Sequence, residues 1–317
     1  MQGDTRPIRI GISSCLLGER VRFDGNHKQD SYILGTLSQV FEFVPICPEV
    51  AIGLGVPREP IRLEGEPEAP RALGVRTKTL DVTDALEGYG RRVAAELEDI
   101  SGYILKSKSP SCGMERVKVY RGDMPSRQGR GIFARVLLQA RPLLPAEEEG
   151  RLGDPVLREN FIERVFAYRR WQALAAAGPT PSGLVRFHTI HKLALMAHSP
   201  EAYQRLGRLV AGVGRHPSEA LAAQYIEDFM AALRQRATRQ RHTNVLQHLM
   251  GYLKKTLSRA DKAEMLDLID AYRRGLVPLI VPVTLLKHHF RQHPDPYVDQ
   301  QTYLNPHPRE LMLRNGI

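Results

Sequence analysis

Cysteine and long hydrophobic runs are both scarce in this sequence. Only three of the 317 residues are cysteine, Cys15, Cys47 and Cys112, and this small odd number argues against a disulfide framework. No apolar run reaches the roughly 18 residues that a membrane-spanning helix needs. The first residues, MQGDTRPIRIGISSC, lack the apolar stretch of about 7–15 residues that is typical of a signal peptide. We therefore expect a cytoplasmic protein, and its 42% hydrophobic and 25% charged residues are ordinary for a globular one.

Charge is distributed unequally along the chain. Residues 1–150 contain 21 Lys and Arg against 21 Asp and Glu, whereas residues 151–317 contain 24 against 14 and carry the whole net charge of +10. All three cysteines lie in the first segment, and ten of the eleven histidines lie in the second. Between them, the stretch RPLLPAEEEGRLGDP combines three prolines with an acidic run, as domain boundaries often do. We predict two domains, residues 1–150 and 151–317, with separate tasks.

Hydrophobic periodicity also differs between the two segments. In the first, the short apolar runs PIRIGISS, VFEFVPI and SGYILKS alternate with helix-like stretches such as TDALEGYGRRVAAELEDI. Alternating strands and helices are typical of a parallel sheet. The second segment has helical periodicity throughout, for example in RENFIERVFAYRRWQALAAA. The predicted fold is an α/β N-terminal domain with a parallel, Rossmann-like sheet, followed by an all-α C-terminal domain.

Each cysteine lies at or shortly beyond the carboxyl end of a predicted strand. Their settings are turn-like: SSCLLG around Cys15, CPE after Cys47 and SPSCG around Cys112. The carboxyl ends of parallel strands meet at one edge of a sheet, so we expect the three thiols to share a site. Three thiolates suit a soft metal and leave one coordination position open, as in catalytic sites. Zinc with a bound water and a 4Fe–4S cluster with one unique iron both satisfy this pattern.

Three motifs resemble those of the thiouracil desulfidase family. They are SSCLLGERVRFDG, VPICPEVAIGLGVPREPIRL and ILKSKSPSCG, which occur in the order typical of that family within roughly residues 8–140. The second segment, with RVFAYRRWQ and HKLALMAHSP, resembles the helical domain that is often fused to it. The two-domain arrangement is similar to that of bacterial desulfidases that remove 4-thiouridine from transfer RNA.

The resemblance implies a cofactor and a set of catalytic residues. The cofactor is a 4Fe–4S cluster held by Cys15, Cys47 and Cys112, with one iron open to the sulfur of a thiocarbonyl substrate. The family's catalytic carboxylate and serine correspond to Glu49 and Ser109, and Ser111 remains an alternative for the serine. The reaction that this implies is a non-redox desulfuration, in which Glu49 moves protons between water and the pyrimidine ring. A structural alternative for Glu49 is a carboxylate in the first turn of a helix.

Clustered basic residues in the second segment favour an RNA partner. The candidate RNA-binding residues are Arg234, Arg236, Arg239, Arg241, Lys254 and Lys255. We therefore predict an enzyme that converts 4-thiouridine in tRNA to uridine with release of sulfide. Two alternatives remain open. One is the same chemistry on free thiouracil or thiopyrimidine nucleosides, and the other is a non-catalytic, metal-stabilised nucleic-acid-binding protein.

Overall fold

The computed structural model describes residues 7–215 and 218–315. The chain divides into two compact units, Met1–Asp154 and Pro155–Ile317. Both sheets belong to the first unit and the second is built mainly from helices, which confirms the predicted succession of an α/β and an all-α region. Within the described ranges, no helix is both long enough and apolar enough to cross a membrane.

The first unit contains short strands and helices in alternation. Its strands are β1 (Ile8–Ser13), β2 (Phe41–Ile46), β3 (Ile61–Glu64), β4 (Arg71–Gly74), β5 (Gly102–Leu105), β6 (Val117–Arg121), β7 (Met124–Gly129) and β8 (Ala146–Glu148). Its α-helices are α1 (Ser31–Gly35), α2 (Pro48–Ala51), α3 (Thr83–Glu96) and α4 (Ile132–Ala140). The second unit contains α5 (Pro155–Ala176), α6 (Pro181–His198), α7 (Pro200–Ala211), α8 (Ser218–Arg234), α9 (Arg239–Tyr252), α10 (Arg259–Arg273) and α11 (Ile280–Gln292).

The first sheet is fully parallel and has the order β2-β1-β5-β8. The three apolar runs that predicted strands form β2, β1 and β5, which are neighbours in that order. Strands β1 and β5 are interior, and their Ile10, Ile12 and Ile104 are fully buried. Burial on both faces explains why these strands are continuous apolar runs and not alternating ones. All four strands therefore end at the same edge of the sheet.

The second sheet, of order β4-β3-β6-β7, has no counterpart in the sequence-based prediction. Only its β3–β6 pair is parallel. Its inner face packs in one hydrophobic cluster with Leu86 of α3, and contributes Ile61, Leu63, Val117 and Val119. The intervening side chains, among them Arg62, Lys118 and Tyr120, lie on the opposite face and are partly or fully exposed.

The second unit buries its core between helices α6, α9, α10 and α11. The cluster includes Leu193, Leu246, Leu249, Ile269 and Leu286. Helices α7 and α10 begin at serine caps, where Ser199 accepts the N–H of Ala202 and Ser258 accepts that of Asp261. A buried ion pair also joins two helices of this unit, since His198 Nε2 lies 3.1 Å from a carboxylate oxygen of Glu163. The pair raises the pKa of His198 although burial opposes the charge.

Candidate active site

The three cysteines line one cavity of about 360 Å³ at the carboxyl edge of the parallel sheet. Cys15 lies in the tight turn directly after β1, and Cys47 immediately follows β2 and caps α2. Cys112 lies in the loop that leaves β5. Because β2, β1 and β5 are adjacent, residues 97 positions apart in the sequence reach the same cavity.

The loop that carries Cys112 is held by the N-terminus of α4. The first N–H groups of a helix have no partner within the helix, and here Ile132 and Ala134 donate theirs to the carbonyls of Pro110 and Ser111. Gly131 allows this close approach, because a Cβ atom there would lie 2.5 Å from the Ser111 carbonyl. The position of the third cysteine is thus fixed by a helix start about twenty residues further along the chain.

Burial controls the protonation of the three thiols. It raises the pKa of Cys15 to about 11, against the opposing charges of Lys106 and Arg22. It also raises the pKa of Cys47 and, more strongly, that of Cys112. At neutral pH these groups are therefore thiols in the absence of a metal, and a metal centre that binds them must displace their protons.

The donor set fits an iron–sulfur cluster by its chemistry and by the space around it. Among the described residues, no three His, Cys, Asp or Glu side chains are grouped to hold a metal ion. The three thiols instead surround a shared cavity that has room for a polynuclear group. Thiolate is the ligand of iron–sulfur clusters, in which different cysteines bind different irons.

Glu49 lines the same cavity and is held from both sides. Its Oε2 accepts from Nε and Nη2 of Arg58, at 2.9 and 2.7 Å. Its Oε1 accepts from the hydroxyl of Ser111 at 2.8 Å. Arg58 also donates to the carbonyls of Gly55 and Val21, and its side chain is only 5% exposed. The carboxylate is therefore fixed in one orientation towards the cavity, a role for Arg58 that the sequence did not reveal.

The two candidate serines have different surroundings. Ser109 lines the cavity, and its Oγ accepts the N–H groups of Ser111 and Cys112 at 3.2 and 3.0 Å. Its own hydroxyl proton has no acceptor among the described residues, so it remains available to a substrate. Ser111 is fully buried, and its hydroxyl proton is directed to Glu49. The geometry thus assigns Ser109 to the cavity and Ser111 to the support of Glu49.

The candidate RNA-binding residues of the second unit are not equally available. Arg241 donates to the carbonyl of His198 at 2.6 Å, and the Arg239 guanidinium lies 5.8 Å from the ring centre of Tyr272. Arg234 is exposed at the end of α8 and has a partner of its own. Three others are exposed and take part in no ion pair of the described chain, namely Arg236, Lys254 and Lys255.

Loss of Arg58 should destabilise the first unit. Arg58→Ala leaves the carboxylate of Glu49, 15% exposed, without its cation, and breaking a buried pair typically costs about 3–5 kcal/mol. Urea unfolding of the cluster-free protein measures this loss. The variant Arg58→Ala/Glu49→Ala should lose less than the sum of the two single changes, and additive losses would contradict the coupling. Arg71→Ala, which removes an exposed partner of Asp81, is the control and should change stability by less than about 1 kcal/mol.

Comparison with known proteins assigns each part of the chain to a family. Residues 10–149 match the family model of 2-thiouracil desulfurase, and residues 192–308 match that of a protein of unknown function, DUF1722. The chain is 33% identical over 159 residues to the uncharacterised protein YbgA of Escherichia coli K12, which covers 50% of this chain and 94% of YbgA.

Two further similarities concern single-domain proteins. The uncharacterised protein YbbK of Bacillus subtilis 168 is 32% identical over 148 residues, covering 44% of this chain and 96% of YbbK. Among solved structures, the 4Fe–4S-dependent thiouracil desulfidase TudS is similar at 30% sequence identity and a TM-score of 0.40, covering 48% of this chain and 97% of TudS.

Proposed function

Because the chain belongs to the 2-thiouracil desulfurase family through its residues 10–149, we propose that it removes the sulfur of 4-thiouridine in tRNA. The products are uridine and sulfide, and the cofactor is a 4Fe–4S cluster. The observation that carries this proposal is that three cysteines and one carboxylate line the same cavity. The second unit, residues 155–317, is proposed to bind the tRNA.

Cys15, Cys47 and Cys112 would hold the cluster. When bound, such a cluster supplies one iron without a protein ligand, which binds the thiocarbonyl sulfur as a Lewis acid and accepts it as sulfide. Burial of the thiols keeps water away from the cluster, and Lys106 and Arg22 lie close enough to Cys15 to oppose its negative charge. The chain thus provides soft ligands and nearby cations for an anionic group.

Glu49 is the proposed proton carrier. Water attacks carbon 4 of the pyrimidine, and a carboxylate oxygen of Glu49 takes the proton that the water loses. Glu49 then returns a proton to the ring nitrogen while the carbon–sulfur bond breaks. One C=S bond and one water give one C=O bond and one sulfide, with no net electron transfer. Arg58 and Ser111 hold the carboxylate in place for both transfers.

Ser109 is proposed to orient the substrate. Its oxygen already accepts two backbone N–H groups, which fixes the direction of its remaining donor. That hydroxyl can donate to an acceptor atom of the pyrimidine, such as its second carbonyl. Ser109 would therefore select how the base enters the cavity, while Glu49 performs the proton transfer.

The tRNA-binding role of the second unit can be tested by neutralising its available cations. We expect Arg236→Gln/Lys254→Gln/Lys255→Gln to weaken tRNA binding and to lower the slope of log affinity against log salt by about 0.7–0.9 per lost phosphate contact. Filter binding of full-length protein to tRNA at several salt concentrations measures this. A control with the same change of charge is Arg205→Gln/Arg273→Gln/Arg274→Gln, in which each arginine already pairs with an aspartate.

The same protein samples decide between tRNA and a free base. Wild-type protein, reconstituted anaerobically, should release sulfide from 4-thiouridine in tRNA. If only free 4-thiouridine or thiouracil reacts, the proposed substrate is wrong and the activity is that of a thiopyrimidine desulfidase. If tRNA reacts and neither triple variant changes its affinity, the second unit contacts RNA through other residues.

A further inference from the structure

A second cavity, of about 730 Å³, adjoins the candidate active site within the first unit. The two cavities share four lining residues, Ile61, Ser107, Lys108 and Pro110. The second cavity extends from this shared border across the outer face of β3, β6 and β7. A molecule too long for the cavity of the cysteines can therefore continue into the second one without leaving the surface of this unit.

Basic side chains dominate the lining of the second cavity. We call it the basic groove, after its six cations Arg62, Lys108, Arg116, Lys118, Arg127 and Arg151. Two carboxylates also line it, and both have partners. Glu115 lies 2.7 Å from Arg151, and Glu148 accepts the N–H of Met114 at 2.8 Å.

Four of the six cations have no counter-ion. Arg62 pairs with Glu64 at 2.6 Å and Arg151 with Glu147 and Glu115. The remaining four are exposed and take part in no ion pair of the described chain, namely Lys108, Arg116, Lys118 and Arg127. A segment without net charge thus presents a strongly positive surface beside its catalytic cavity.

Two of these cations occupy strained backbone positions. Lys108 has φ 62° and Arg116 has φ 55°, in the left-handed region that glycine adopts without cost. The fold alone would be served better by glycine at both places. Backbone strain of this kind concentrates at functional sites, and here both strained residues direct a cation to the same groove.

The groove also offers an aromatic surface. Tyr120 is partly exposed on β6, two residues after Lys118 and on the same face of the strand. The Arg62 guanidinium lies 4.6 Å from the centre of its ring. Exposed tyrosine rings beside arginine and lysine side chains are typical of surfaces that bind single-stranded RNA, because bases stack on the ring and phosphates meet the cations.

We propose that the basic groove binds the RNA strand next to the target nucleotide, with its phosphates at Lys108, Arg116, Lys118 and Arg127 and a base on Tyr120. This inference rests on the proposed function, and it places part of the RNA recognition in the catalytic unit. The charge of the groove matches a phosphodiester chain, and its continuity with the cavity of the cysteines leads that chain to Glu49. A free nucleoside has no phosphate and does not need the groove.

The test is the variant Arg116→Gly/Lys118→Gln/Arg127→Gln, which spares Lys108 because that residue also borders the catalytic cavity. We expect it to bind a single-stranded oligonucleotide containing 4-thiouridine about tenfold more weakly, with a salt slope lower by about 2. The ratio of kcat/KM for tRNA to kcat/KM for free 4-thiouridine should fall by a similar factor. Arg116→Gly alone should not lower the temperature of unfolding, because glycine relieves the strain at φ 55°.

The matched control is Arg71→Gln/Arg91→Gln/Arg121→Gln. It removes the same charge from exposed arginines of the same unit, which lie outside the groove and pair with Asp81, Glu87 and Glu66. The control should retain the affinity for the oligonucleotide, the ratio of the two activities and the iron content of the wild-type protein. A fall in both variants alike would mean that only net charge matters, and would overturn the proposal.

Two readouts separate this inference from the proposed function. Unchanged oligonucleotide affinity and unchanged activity ratio in the groove variant would overturn the inference while leaving desulfidation of tRNA intact. If the wild-type protein never acts on tRNA, the proposed substrate fails. The groove then stands or falls by the oligonucleotide affinity alone, which needs no turnover.

Discussion

Serine in place of Cys15, Cys47 or Cys112 should give a protein that neither holds a 4Fe–4S cluster nor releases sulfide. A hydroxyl is a hard and weakly acidic ligand, so each substitution removes one of three soft donors. After anaerobic reconstitution, we expect the wild-type protein to be brown with about four irons and four sulfides per chain. Each variant should contain much less iron, and its sulfide release should be undetectable.

The chain contains only these three cysteines, so a residual cluster in a variant cannot be assigned to another thiol. Far-UV circular dichroism of the variants checks that the loss is not one of folding. A colourless wild-type protein that binds zinc alone and still releases sulfide would overturn the cluster. That outcome would favour the second metal that the sequence left open, zinc with a bound water.

The position of the three cysteines was predictable because it depends on local signals. Each strand of the parallel sheet next to them is a short apolar run buried on both faces, which can be identified without knowledge of its partners. The carboxyl ends of such strands meet by topology alone, so Cys15 and Cys47 could be expected in one cavity. Cys112 is less direct, since its loop is fixed by α4 through the N–H groups of Ile132 and Ala134.

The second sheet was not predictable for the opposite reason. Its strand β7, MPSRQG, has only one buried residue, Gly129, and lacks an apolar alternation. Strand β8 of the first sheet is the sequence AEE, and its Glu147 and Glu148 are buried because an arginine and backbone N–H groups bind them. Such strands exist through their partners, and a propensity read along one chain does not contain those partners.

Charge was informative about segments and uninformative about places. The excess of cations in the second segment was evident, yet Arg239 and Arg241 contact groups of their own unit. The first segment has no net charge, yet it forms the basic groove because Arg62 and Lys118 share one face of a sheet. A sum over a segment cannot reveal how strands sort charges between faces.

The support of Glu49 was likewise hidden from the sequence. Its spacing from Cys47 suggested a catalytic carboxylate, but its hydrogen bond to Ser111 joins residues 62 positions apart. Arg58 lies nine positions further along the chain, in a loop rich in glycine and proline, and its fork closes on Oε2 of Glu49. These contacts also determine which substitution of Glu49 is informative.

Glu49→Gln should retain the fold and the cluster and lose turnover. The amide has the size and shape of the carboxylate, so its oxygen can still accept from Arg58 and its nitrogen can donate to the oxygen of Ser111. It cannot take a proton from water. Loss of one general acid or base typically lowers the rate by a factor of about 10²–10⁴, and we expect kcat to fall by this much with little change in KM.

The measurement is sulfide release per iron–sulfur cluster, because normalisation to the cluster separates catalysis from cofactor loss. Glu42→Gln, a change of the same kind at an exposed residue of β2, should have full activity. Full activity in Glu49→Gln as well would remove Glu49 from the mechanism. Loss of iron in Glu49→Gln would instead assign Glu49 to the stability of the cluster, since a proton carrier that does not bind iron leaves the three thiolate ligands undisturbed.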